Sequence, residues 1–242
     1  MGGFAQPDFD TGVGRYVQFW GQEKTGKTTA ALSFPQPIYL LSFDGNYRLA
    51  WKRAGAEGMV SLYAPKLNDG QVEAKQRLKS FRDDWVLACD EVGKGGGTVI
   101  LDSETELWRL VQEVMVHIAR DDKEREAVRA GKKYSQSRWD YGPANRFMEQ
   151  VLTYPFHLGI NCALVTRAKK VYVDGQETNQ YGPHGYSETG FLVPSRIQCL
   201  YDREKGFRLK FDTCAEDMSM VGMSVGVSEG ETAWDILEEQ IG

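Results

Sequence analysis

GQEKTGKTTA, residues Gly21 to Ala30, follows directly on the apolar run YVQFW, Tyr16 to Trp20. Its spacing fits G-x-x-x-x-G-K-[ST] at Gly21, Gly26, Lys27 and Thr28, a pattern that ordinary residue usage produces by chance in roughly one chain of this size per hundred. Context therefore decides. Such a loop holds phosphate only when a strand enters it and a helix leaves it, because backbone N–H groups and the helix N-terminus then converge on the same oxygens. Both flanks are present: Arg15 to Trp20 has strand composition, and KTTAALS, Lys27 to Ser33, begins a short helix that Pro35 and Pro37 end. Gly21, Gln22, Glu23, Lys24, Thr25, Gly26, Lys27, Thr28 and Thr29 thus form the expected nucleotide-contacting segment. The two glycines supply backbone angles closed to other residues, Lys27 reaches the terminal phosphates, and the Thr28 hydroxyl binds Mg²⁺. Lys24 reads as a solvated charge.

Downstream, strands alternate with helices. Pro37 to Phe43 (PIYLLSF), Thr98 to Asp102 (TVILD) and Ile160 to Thr166 (INCALVT) are short continuous apolar runs of the kind covered on both faces. Between the first two, Leu78, Phe81, Trp85, Ala88 and Val92 recur at helical spacing within Gln71 to Val92, and Gly95-Gly96-Gly97 ends that segment. Leu107, Leu110, Val111, Val114, Met115 and Ile118 mark the next helix, with Ser103 and Glu106 spaced as a capping box. Tyr141 to Leu158 is a further helix, with an interruption expected at Pro155. This order predicts an α/β fold with a mainly parallel sheet flanked by helices. Beyond Arg167 the pattern turns to antiparallel strands, with a turn at Asp174-Gly175 and a hairpin from Ile197 to Thr213. We expect one domain over residues 1–242, its core at about 15–212 and a C-terminal extension at 213–242.

Ligands in such sheets bind beyond the C-terminal strand ends, where Gly21, Asp44, Asp102 and Arg167 all fall. Asp102 closes an apolar strand and is the expected Mg²⁺ ligand. Hydrolysis further needs a group that orients water, and three acids compete. Glu106 is accounted for by the capping box, Glu104 is a further catalytic candidate although the first helical turn would let it face solvent, and Asp44, with no task beyond turn formation, is preferred. Arg167 is placed to sense or stabilise the γ-phosphate.

Composition narrows the remaining classes. The 242 residues are 41% hydrophobic and 26% charged with a formal net charge of −5, so nucleic-acid contact requires local basic patches. No apolar run approaches the ~18 residues of a membrane span. Cys89, Cys162, Cys199 and Cys214 are widely spaced, and His117, His157 and His184 lack partners at ligand spacing. These features predict reduced thiols, no zinc site and a cytoplasmic protein.

The segments GQEKTGKTT, LLSFD, TVILDS, RWDYGPANRFMEQVL and GINCALVTRAKK together resemble the RecA-like ATPase domain of phage nucleotide-binding proteins, the group that includes single-strand-annealing proteins of phage recombination modules. The resemblance covers roughly Arg15 to Asp212 and implies a RecA-like P-loop ATPase using ATP and Mg²⁺ in a host cytoplasm. By resemblance, the carboxylate acting on water falls on Asp44 and the polar sensor on Arg167. Single-stranded DNA would be held by two segments, Arg120 to Arg138 and Ala168 to Gly190. The first carries Lys132, Lys133, Tyr134 and Arg138, and the second Lys169, Lys170, Tyr172, Tyr181 and Tyr186; cations neutralise phosphates while rings stack on bases. Arg120 to Arg129, rich in both signs, reads instead as a solvated helix or an unstructured insert. Expected partners are ATP, single-stranded DNA, further copies in a ring or filament, and a single-strand DNA-binding protein, with no membrane. A nucleotide-kinase-type phosphotransferase and an ATP-dependent interaction module without DNA are the competing classes.

Overall fold

Tyr16–Gly21 forms strand β1, buried at all six positions, as expected for a strand with neighbours on both sides and helices on both faces. The computed structural model describes residues 14–43, 45, 47–53, 60–63, 73–131, 133 and 141–241. Six strands follow the parallel pattern: β1, β2 (Ile38–Ser42), β3 (Val60–Tyr63), β4 (Thr98–Asp102), β5 (Asn161–Val173) and β7 (Ser195–Asp202). The antiparallel strands are β6 (Gln176–His184), paired with β5, then β8 (Gly206–Cys214) and β9 (Ser224–Gly226). The sheet order is β3-β2-β4-β5-β1-β7-β8-β9, with β6 attached to β5 off this path. This is a mixed, mainly parallel sheet of the RecA-like type. Its order matters for the site, because β5 lies between the strand carrying Gly21 and the strand carrying Asp102.

Alternation along the strands divides the core in two. Tyr16, Leu41, Leu101 and Leu164 face α3 (Ala74–Gly95), α4 (Glu104–Gln112) and α6 (Gly142–His157), which contribute Phe81, Trp85, Leu107 and Met148. Val17, Phe19, Leu40 and Ile197 face the opposite side, with Ala30 and Ala31 from α1 (Lys27–Ala31), Tyr47 from α2 (Tyr47–Arg53) and Ile236 and Leu237 from α8 (Ala233–Ile241). The stretch expected to extend the core after residue 213 is thus woven into it. Trp234 packs on Phe34 with ring centroids 4.8 Å apart, and the Arg15 guanidinium lies 5.6 Å from the Trp234 ring centre while pairing with Glu216 and Glu238.

Three elements differ from expectation. The helix after β4 passes from α4 through a π-helical turn, Glu113–Ile118, into α5 (Ala119–Arg129). Lys123, Glu124, Arg125 and Glu126 are exposed there, so the mixed-charge segment is the solvated helix of the two alternatives. In α6, Pro155 causes no interruption. Its missing N–H leaves the Val151 carbonyl without a helical donor, and Trp85 Nε1 fills that place at 3.1 Å. Finally, β5 does not stop at Thr166 but runs on to Val173, so most of the stretch expected as a loop is an antiparallel hairpin followed by α7 (Thr189–Leu192).

Candidate nucleotide site

The phosphate loop is shaped by close approach. A side chain at Gly21 would collide with the Cys199 carbonyl, and Gly26, at φ 85, starts α1 from the left-handed region. Gln22, Glu23 and Lys24 are exposed, while Thr25 and Lys27 both donate to the Gln22 carbonyl, at 2.9 and 2.5 Å. Burial lowers the Lys27 pKa from the usual lysine range; Asp102 opposes that shift and Arg167 adds to it. Thr28 Oγ1 donates to Asp102 Oδ2 at 2.9 Å, and Asp102 is only 4% exposed. A hydroxyl beside a carboxylate at the mouth of the loop is a pair of hard oxygen ligands. Mg²⁺ sites on phosphates need one or two such groups and no larger cage. Among the described residues no group of three or more His, Cys, Asp or Glu is placed to hold a metal ion.

Register brings Arg167 to the same edge, opposite Gly21 in the β1–β5 pairing. Its backbone N–H donates to Thr105 Oγ1 at 3.0 Å, and its guanidinium pairs with Glu106 at 2.5 Å. Glu106 also binds Arg109 at 2.7 Å. The capping box is therefore only half formed: Ser103 Oγ accepts from the Glu106 N–H at 3.4 Å, but the Glu106 carboxylate turns to the two arginines. His184, opposite Arg167 on β6, has its pKa lowered by burial and by the charges of Arg109, Lys169 and Arg167.

Glu104 is placed against expectation. It does not face solvent but is 0% exposed. Oε1 accepts from the Tyr186 N–H at 2.7 Å and Thr189 Oγ1 at 2.9 Å, and Oε2 accepts from Thr166 Oγ1 at 2.9 Å. Burial raises its pKa while these hydrogen bonds pull it back. Asp44 lies outside the described residues, as do Lys132, Tyr134 and Arg138.

The expected DNA-contacting residues separate into exposed and buried groups. Lys133, Lys169, Lys170, Tyr172 and Tyr181 are exposed. Lys170, however, is in an ion pair with Glu177, which also accepts from the Tyr172 hydroxyl at 3.2 Å, so its charge is partly neutralised. Tyr186 is corrected more strongly. It is 5% exposed, its ring sits 5.2 Å from that of Trp108, and its hydroxyl donates to Glu149 at 3.3 Å. Its ring is part of the core and offers no platform for stacking.

A cavity of about 650 Å³ adjoins the loop, bounded by Lys24 to Ala30, Leu49 and Ala50 of α2, Phe207 of β8 and the segment 227–233. Its size suits a small-molecule ligand. Phe207 lies against the loop, where a side chain at Gly26 would meet its ring at 3.3 Å. No local motif marks Phe207 or residues 227–233, and only the fold brings them to the loop.

Residues 14–202 match the model of a family described as AAA domain, and the chain belongs to that family. It is thus a P-loop ATP-binding domain, and nucleotide binding and hydrolysis is the general activity of its class. No protein of curated function matches the chain. Phe207 and residues 227–233 lie beyond the matched span.

Proposed function

We propose that the protein is a Mg²⁺-dependent ATPase whose nucleotide state governs binding of single-stranded DNA by the β5–β6 hairpin, in recombination or repair of the phage type. The observation that carries this reading is the root of the hairpin. The strand that leaves the sheet as its first arm does so at Arg167, the residue in register with Gly21 of the phosphate loop.

In this mechanism Lys27 and the loop N–H groups hold the β- and γ-phosphates, and the nucleoside occupies the cavity beside Phe207. Thr28 and Asp102 would hold Mg²⁺, which when bound neutralises phosphate charge. Asp44 orients the attacking water, and Arg167 stabilises charge on the γ-phosphate at the cost of its pairing with Glu106. Lys169, Lys170, Tyr172 and Tyr181 track a DNA strand, Lys170 once released from Glu177, aided by Lys132, Lys133 and Arg138. Assembly into a ring or filament, and contact with a single-strand DNA-binding protein, belong to the same reading.

The test is ATP hydrolysis with and without Mg²⁺, together with anisotropy of labelled single-stranded DNA in the presence of ATP analogue, ADP or no nucleotide. Mg²⁺-dependent turnover and nucleotide-dependent DNA binding are expected. Turnover without DNA binding at low salt would favour the interaction module, which the net acidic charge and the Lys170–Glu177 pair also suit. Phosphate transfer to added nucleoside monophosphate would favour the kinase.

A further inference from the structure

Glu104 stands two residues beyond Asp102, and its carboxylate accepts from three buried donors. These come from two sides of one structure. Thr166 on β5 is the residue just before the hairpin leaves at Arg167, whereas Tyr186 and Thr189 lie two and five residues beyond the end of β6 at His184. One carboxylate therefore holds both feet of the β5–β6 hairpin. The approach is close enough that a Cβ at Gly185 would overlap the carboxylate. On the other side of Thr166, Gln18 Nε2 donates to its hydroxyl at 2.9 Å, and Gln18 lies on β1 three residues before Gly21. A second tie, from the Arg167 N–H to Thr105, anchors the same foot.

We propose that Glu104 is a positioning residue that clamps both feet of the β5–β6 hairpin to the strand end carrying Asp102, so that the hairpin and Arg167 are aligned with the nucleotide. The inference rests on the reading of the phosphate loop as the nucleotide site. Charge-assisted hydrogen bonds to a buried carboxylate are the stronger class, and removing the acceptor leaves buried donors unpaired. A shift of Asp102 on binding metal and nucleotide is passed through Ser103 to Glu104, and thence to both hairpin strands. By reciprocity, a ligand on the hairpin acts back on nucleotide affinity.

The experiment compares Glu104→Gln, Glu104→Ala and the milder Thr189→Val in the full chain. Hydrogen exchange is followed across residues 167–184, with and without a non-hydrolysable ATP analogue and Mg²⁺, alongside steady-state ATP turnover. Glutamine keeps an acceptor for Tyr186 and Thr189 and offers Thr166 a donor, so turnover is expected to stay within about threefold of wild type. Alanine is expected to speed exchange at the hairpin feet even without nucleotide, to abolish the nucleotide-dependent protection, and to lower kcat about tenfold with little change in KM. Thr189→Val should show the same exchange pattern at smaller size, which serves if the alanine variant does not fold. Loss of about a hundredfold or more in the glutamine variant, with hairpin protection intact, would make Glu104 the general base and overturn the proposal. Unchanged exchange in both clamp variants would overturn it as well. Absence of analogue binding to wild type by calorimetry defeats the nucleotide reading itself, while analogue binding with no change in hairpin protection defeats only the coupling.

Discussion

Thr28 Oγ1 donates to Asp102 Oδ2 at 2.9 Å, although Thr28 follows β1, Asp102 ends β4, and β5 runs between those strands. The contact spans a whole strand because the phosphate loop leads from β1 into α1, which packs against both β1 and β5. It joins the hydroxyl at the end of the loop to the carboxylate with which, in the proposed mechanism, it would hold Mg²⁺.

Lys27→Ala and Thr28→Ala are expected to abolish detectable ATP turnover while leaving the thermal midpoint nearly unchanged, since neither side chain is part of the buried core. Asp102→Asn should weaken Mg²⁺-dependent nucleotide binding, and chelation with EDTA should mimic it in wild type. Asp44→Asn should slow turnover and spare binding, because in the proposed mechanism Asp102 would hold metal and Asp44 would orient water. Calorimetric titration with ATP analogue, paired with turnover, separates the two. Wild-type binding and turnover in a folded Lys27→Ala protein would sink the site.

Phe207 should act on the nucleoside. Phe207→Ala is expected to cost about 0.5–1.5 kcal/mol of nucleotide affinity, the usual worth of an aromatic contact, with Phe207→Tyr close to neutral. Inorganic triphosphate, which has no base, should bind all these proteins alike. An equal loss for triphosphate and ATP would place the base elsewhere.

Charges and rings on the hairpin should contribute to DNA binding separately. Replacing Lys169 and Lys170 by alanine should reduce the slope of log affinity for single-stranded DNA against log salt by ~1.4, about 0.7 for each lost phosphate contact. Because Glu177 holds Lys170, Glu177→Gln should strengthen DNA binding. Tyr172→Ala or Tyr181→Ala should cost ~1–3 kcal/mol per stacked base and leave the salt slope nearly unchanged. Tyr186→Phe should not affect DNA affinity, and a loss there equal to that of Tyr181→Ala would contradict its place in the core.

Alkaline stability follows from the buried acids. Burial raises the Cys199 thiol from 9.0 to about 12, and raises Cys162 and Cys89 in the same direction. Tyr186, through burial and the Glu149 carboxylate, and Tyr154, through its bond to Asp90, are each pushed up to about 12. An acid with a raised folded pKa stays neutral in the fold while the unfolded chain ionises. For Cys199 the contribution is complete below 9.0 and is lost as pH climbs towards about 12. Urea midpoints should therefore fall as pH rises from about 9 towards about 12, and fall less in Cys199→Ala. A flat profile would contradict the burial of these groups.

Local chemistry made much of the scaffold legible in the chain. The loop from Gly21 to Thr28 needs a strand, two glycines and a helix start, all within a few residues of one another. The β2, β4 and first β5 segments announce themselves as apolar runs, and α3 by the spacing from Leu78 to Val92. These are short-range properties, set by periodicity and backbone freedom. Other features depend on partners far along the chain. Glu104 looks like a solvated helix-start acid until its donors, 62, 82 and 85 residues away, fold over it. Pro155 reads as a break until Trp85 takes the carbonyl it orphans. The polar stretch Arg167 to Lys170 has no strand pattern of its own and becomes one by pairing with β6, and Phe207 meets the loop only because β8 closes beside β7. Burial, hydrogen-bond saturation and the far wall of the cavity are properties of the assembled sheet, because each depends on residues whose neighbours are chosen by topology instead of by sequence distance.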